Sequence, residues 1–233
     1  MIRSHVSMRD SLVVLLTLTT GAVDVTSFLA LGNVFSSVVT GDLVLLGAAA
    51  GTGRSALAVH SGVALAGYLA GVLAGAPLAA RRHHHATGTW PPSVTITLAV
   101  ELVILVAFAV GWELAGTHPS GGGQLALVAV LAAAMGLQAA AVRRLGQMST
   151  TYLTSTLTAL IAGLVTGSKP DGMARSLGVL ATLILGAIAA SVLLEEARAW
   201  LPVVILVPLG LVIVASVAGF EWVRAHLTPG RGR

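Results

Sequence analysis

The chain has 233 residues, 56% hydrophobic and 9% charged, with 13 Lys+Arg against 9 Asp+Glu and a mean hydropathy of +0.93. Soluble domains carry about 25% charged residues, so this composition excludes an ordinary soluble protein and indicates an all-α polytopic membrane protein. The absence of cysteine excludes disulfides, thiol catalysis and cysteine metal sites. The basic residues lie between apolar runs, where they orient a membrane protein rather than bind nucleic acid.

Eight apolar segments follow one another. The first, about 11–31, carries Asp24 among Thr19, Thr20, Thr26 and Ser27. It reads as a mature helix rather than a cleavable signal. A charged group at the centre of a membrane helix costs about 2.5–3.5 kcal/mol on insertion scales. Asp24 is therefore either a proton or cation site, or a carboxylate neutralised by a neighbouring Arg or hydrogen-bonded to hydroxyls for helix packing. A carboxyl group in low dielectric can exchange protons near neutral pH.

The second segment, about 34–50, is short and breaks at Thr40-Gly41-Asp42. A helix starting there would let Asp42 satisfy free backbone N–H groups, while Thr40, Gly41 and Asp42 equally suit a binding site. The third, about 56–80, carries His60 and the spacing Gly67-x3-Gly71-x3-Gly75. That spacing permits close helix contact within one chain or between copies of a homo-oligomer. The loop at 81–92 holds His83-His84-His85, which lack a defined ligand geometry, so no metal site is expected. Glu101 sits in the fourth segment, about 93–114, as a structural contact, a relay group or a residue near the membrane interface.

A Gly-rich link at 116–123 divides the chain. The fifth segment, about 124–142, contains Gln138, a donor and acceptor that suits a solute- or ion-binding site or an interhelical hydrogen bond, and ends at Arg143 and Arg144. Arg143 is a candidate charge partner for the aspartates; its plainer role is a cytoplasmic anchor. The sixth, about 148–165, opens with Thr150, Thr151, Thr154, Ser155 and Thr156, hydroxyls that bind a polar solute or stitch helices together. The seventh and eighth cover about 173–194 and 200–220. Glu195-Glu196 has no accompanying metal motif, and no P-loop, dinucleotide fingerprint or nucleophile elbow is present. Neither an enzyme nor a cofactor is expected.

The halves match at a shift of 114: Asp24 falls on Gln138, Leu31-Gly32 on Leu145-Gly146, Thr40 on Thr154 and Leu43 on Leu157. One transmembrane domain, 1–233, would then hold repeats at about 11–115 and 124–221. If all eight segments cross from a cytoplasmic N-terminus, eight basic residues lie inside and five outside. If the second and sixth enter and leave on one side, the tally is eleven against two, which the positive-inside rule prefers. Each half then crosses three times and the repeats are inverted, with both termini cytoplasmic. Eight crossings remain the alternative.

The stretches G-A-V-D-V-T-S-F-L-A-L-G-N-V-F from Gly21 to Phe35, V-T-G-D from Val39 to Asp42, A-M-G-L-Q-A-A-A-V-R-R-L from Ala134 to Leu145 and S-T-T-Y-L-T-S-T-L-T from Ser149 to Thr158 carry a resemblance. They resemble the YoaK-type bacterial membrane proteins, catalogued as domain of unknown function 1275. That family usually has Asn where this chain has Asp42, and often Gly at Ser155 and Asn at Ala139. The resemblance implies a small inner-membrane permease. The expected function is secondary transport of a small polar or cationic solute, with Asp24 as the proton- or cation-coupling group. A channel-like conductor and a non-transporting accessory or scaffold protein are the alternatives.

Overall fold

The computed structural model describes residues 2–81, 90–146, 153–166 and 173–227. His83–His85, Thr150 and Thr151 lie outside the described residues. The helices are α1 (Ile2–Ala30), α2 (Val39–Thr52), α3 (Ser55–Ala80), α4 (Pro92–Leu114), α5 (Gly121–Arg144), α6 (Leu153–Val165), α7 (Met173–Glu196) and α8 (Leu201–Leu227). A 3-10 turn, Arg198–Trp200, precedes α8. Six of these stretches are long and apolar enough to cross a membrane: Met8–Ala30, Ser55–Ala80, Pro92–Leu114, Gly121–Arg144, Met173–Glu196 and Arg198–Ala218. Without water in the hydrocarbon, a spanning segment must satisfy its backbone internally, so each is helical. α2 and α6, at 14 and 13 residues, fall short of the roughly 20 that a crossing needs.

Side-chain bonds fix which helix ends lie together. At one end, Gln124 of α5 donates to the Ala30 carbonyl of α1 (3.0 Å) and meets His60 of α3 (3.2 Å). Trp112 of α4 donates to the Arg198 carbonyl at the same end of α8 (3.0 Å). At the opposite end, Ser93 of α4 donates to the Ala79 carbonyl of α3 (2.9 Å), and Arg175 of α7 pairs with Asp10 of α1 (3.4 Å). α1 therefore ends where α3 begins, so α2 leaves from and returns to one end of the bundle.

Two parallel helix pairs form its centre: α1 with α7 and α3 with α5. Each closes on glycines. A Cβ on Gly21 would meet the Leu183 carbonyl and the Ala187 amide, and one on Gly186 the Leu18 carbonyl. In the other pair, a Cβ on Gly136 would meet the Tyr68 carbonyl and the Val72 amide, and one on Gly71 the Ala133 carbonyl. In both pairs the first-named glycine lies against the carbonyl three residues before its opposing glycine and the amide one residue after it. Gly21 to Gly136 and Gly71 to Gly186 are both steps of 115. The crossings thus sit one residue off the 114 shift of the Leu-Gly turns, because backbone contact sets the crossings while chain reversal sets the turns.

Helix ends follow local chemistry. Pro92 opens α4 at a position where its missing N–H costs nothing. α2 stops at Gly53 in the left-handed conformation (φ 67°), whose N–H returns to the Ala49 carbonyl. α1 stops before Gly32 (φ 107°), which lies directly against the His60 ring.

Gly186→Ala should lower stability by about 1–3 kcal/mol, the usual cost of overpacking. Gly210→Ala, with nothing within 4 Å of its Cβ position, should be neutral or gain up to about 1 kcal/mol. Thermal unfolding of both variants in one detergent checks the contrast.

Candidate functional site

The segment between α1 and α2 is where the sequence departs from simple helix. Residues 31–38 turn at Gly32 and Asn33 (φ 60°) and run back along α1. Seen from the end of α1, Asp24 lies six residues in, about 9 Å at 1.5 Å per residue. Ser36 and Ser37 N–H both donate to Asp24 Oδ1 (3.0 and 2.8 Å), and the Ser37 hydroxyl donates to Oδ2 (2.5 Å). Phe35 N–H donates to Asp42 Oδ1 (2.9 Å). Ser27 and Ser36 hydroxyls share a bond (2.7 Å), and the Phe28 and Phe35 rings stack at 5.2 Å. Asp24 is 9% exposed and Asp42 2%.

Both acids thus hold a loop whose N–H groups would otherwise lack acceptors away from water. They also converge on the start of α2. Val38, its N-cap, contributes no side-chain cap, and Asp42 lies in the first turn. Two carboxylates there oppose the partial positive charge of the helix start. The Asp42 carboxylate accepts from Phe35 N–H in the loop before α2 rather than from an N–H of the helix itself.

A second polar group lies deeper. Along α1, Thr20, Asp24 and Ser27 follow at helical spacing and share one face. Thr20 donates to Gln138 Oε1 of α5 (2.8 Å), and Gln138 Nε2 donates to Glu101 Oε1 of α4 (3.1 Å). Glu101 is wholly buried, and its Oε2 has no hydrogen-bond partner. Thr20 is 1% exposed and Gln138 3%.

Of the residues expected from sequence, Asp24 and Asp42 come together at the loop, and Gln138 lies in the deeper group with Thr20 and Glu101. Thr40 is exposed and Gly41 half-buried, with its Cβ position 3.3 Å from Val38 and 3.5 Å from Phe35. Thr154 and Ser155 are exposed on α6. Arg143 is exposed at the end of α5. The described ion pairs join Asp10 to Arg9 and Arg175, so Arg143 partners neither Asp24 nor Asp42. Sequence reasoning underweighted Glu101, although an acid near the midpoint of a span is its own signal. It also passed over Ser36 and Ser37, whose roles depend on the loop doubling back. No cluster of three or more metal-ligating side chains occurs among the described residues.

Residues 12–217 match the family described as "Protein of unknown function (DUF1275)". The chain belongs to this family. It is 36% identical over 155 residues to "UPF0700 transmembrane protein YoaK" of Bacillus subtilis (strain 168), a stretch covering 66% of each chain. The match spans slightly less than two thirds of that relative's length. No solved structure matches. Membership bears out the resemblance read from the signature stretches and makes the protein a multi-pass bacterial membrane protein.

Asp24→Ala removes the acceptor of two buried N–H groups, each costing about 1–3 kcal/mol when unmet. Val34, fully buried in this loop, reports on it as Val34→Cys in a chain without native cysteine. Labelling by a water-soluble maleimide should speed up on the order of tenfold or more when Asp24→Ala is added, tenfold being about 1.4 kcal/mol of loop opening.

Proposed function

We propose that the protein is a small secondary transporter of the bacterial inner membrane, moving a polar or cationic solute between two inverted halves. One observation carries this reading: polar side chains run through an otherwise apolar interior. They begin at Ser36, Ser37 and Asp24, continue one turn along α1 to Thr20, and pass through Gln138 to Glu101. Intramembrane acids and amides facing a bundle interior usually mark solute or ion paths.

The halves of this proposal are 11–115 and 124–221, each with three spanning helices and one short one. The congruent glycine crossings support it, since α1 meets α7 as α5 meets α3. Broken or short helices at the meeting of such repeats commonly form the binding site. α2 fits that role, beginning inside the bundle with two acids at its positive end. With that end already balanced and no described cation paired to Asp24 or Asp42, a cationic or neutral solute suits the site better than an anion. Asp24 and Asp42 hold the loop closed at one end of the bundle, and opening it is the motion that exposes the polar interior there.

A second reading, a non-transporting accessory protein, draws on a specific observation too. All the donors to Asp24 and Asp42 come from the loop itself, as simple packing would require.

Purified protein is screened by thermal shift against inorganic cations and small polar metabolites. Transport predicts at least one solute that stabilises the parent and not Gln138→Ala, by about 2.7 kcal/mol at one hundred times its dissociation constant. A complete screen with no such solute favours the accessory reading. Topology is checked with Arg54→Cys and Arg144→Cys in intact cells. Inverted halves with cytoplasmic termini predict that an impermeant reagent labels Arg54→Cys, and that Arg144→Cys reacts only after permeabilisation. Eight crossings predict the reverse.

A further inference from the structure

We propose that Glu101 is a proton-binding site at mid-membrane and supplies the coupling group of the transporter, a role that the sequence suggested for Asp24. The inference deepens the transport reading and rests on it for the word coupling, while the proton site itself stands on geometry. Glu101 lies nine residues into α4 and thirteen from its end, about 14 and 20 Å along the helix axis. None of its surface is exposed.

The three buried acids differ in how their oxygens are met. Asp24 accepts three hydrogen bonds, shared between both oxygens. Asp42 accepts one from Phe35 at the loop edge. Glu101 accepts one, from Gln138 on Oε1, and Oε2 is left buried without a partner. A buried acceptor with no donor is costly, and a buried charge with a single neutral donor more so.

The helices packed against α4 are α3, α5 and α8. α3 contributes His60, bonded to the Ala56 carbonyl and Gln124, and half-buried Tyr68. α5 contributes Arg143 and Arg144, both exposed at its far end. The described side chains of α8 include no titratable group. α1, joined to α5 by the Thr20–Gln138 bond, brings Asp24 one turn from Thr20. No cation among these neutralises Glu101. A proton is the ligand small enough to meet Oε2 in this packing. It forms an O–H bond on Oε2, leaves Oε1 as the acceptor of Gln138, and makes the group neutral. Release to water on either side breaks that same bond, so nothing is oxidised or reduced.

Gln138 is then a positioning residue. It orients the carboxyl through Oε1 and is itself held by Thr20, on the α1 face that carries Asp24. Movement of the loop at Asp24 would thereby reach Glu101 through one helix turn and two hydrogen bonds.

The test is infrared difference spectroscopy of the full chain in lipid nanodiscs, between two pH values and between water and deuterium oxide. A carbonyl band of a protonated carboxylic acid is expected, shifted by deuterium. Glu101→Gln should abolish it, Asp24→Asn should retain it, and Gln138→Ala should move it to higher frequency by removing the donor to Oε1. If Glu101→Gln does not fold, the parent labelled with carboxyl-13C aspartate decides. A band that stays put under the label and moves with Gln138→Ala belongs to Glu101 and supports the proposal; a band that shifts with the label belongs to an aspartate and overturns it. Absence of any exchangeable carboxyl band also overturns it. A failed solute screen alongside a Glu101 band would instead remove the transport reading and leave the proton site.

Discussion

Among the described residues, backbone touches backbone at two glycine crossings, and the interior is arranged around them. Lipid offers no hydrophobic drive for one apolar helix to leave it for another, so association rests on close packing and hydrogen bonds. Glycines remove the side chains that would hold helix axes apart. Gly21 with Gly186, and Gly136 with Gly71, bring α1 onto α7 and α5 onto α3. Around the first crossing, the Thr17 and Thr182 hydroxyls meet at 2.6 Å, and Thr182 donates to the Val14 carbonyl (2.9 Å). These pairs leave α1 and α5 as inner helices, each with two thirds of its most apolar stretch buried (67%). α1 carries six of the buried polar residues, Thr17, Thr19, Thr20, Asp24, Thr26 and Ser27, and α5 carries Gln138.

The acids follow from the exclusion of water. A loop dipping about 9 Å beneath a helix end brings backbone N–H groups into a region without water, and each needs an acceptor. Asp24 and Asp42 supply three of the acceptor contacts that residues 35–37 require. Loop and carboxylates explain each other: without the acids the loop would carry unmet donors, and without the loop the acids would carry unmet charge. Glu101 has no such reciprocal partner. The same physical rule therefore separates two acids whose oxygens hold the loop from a third with one buried oxygen unmet.

The sequence was informative where a single residue broke an apolar run. Asp24, Asp42 and Gln138 stood out that way, and the six long helices were visible from run length. It was less informative where face mattered. Thr40 sits two residues before Asp42, about 200° around the helix, so the inward turn of Asp42 carries Thr40 outward. The second segment was expected from 34, but its helix begins at Val39, because residues 35–37 give their N–H groups to carboxylates rather than to a helix. Glu101 was undervalued because its partner Gln138 is 37 positions away, a distance no local pattern spans.

The two short helices differ where the crossings agree. α2 buries Asp42 and Ala49 against its neighbours, with its loop latched by three consecutive backbone donors. α6 leaves Thr154, Ser155, Leu157, Ile161 and Val165 exposed. Two halves congruent at their backbone contacts and unequal at their short helices share one feature and differ in another. In an inverted-repeat transporter that division is what alternating access requires, because the fixed crossings can stay while the closed end exchanges with the open one. On that reading the latch at Asp24 and Asp42 belongs to one of two states, and the polar line through Thr20, Gln138 and Glu101 is what both states share.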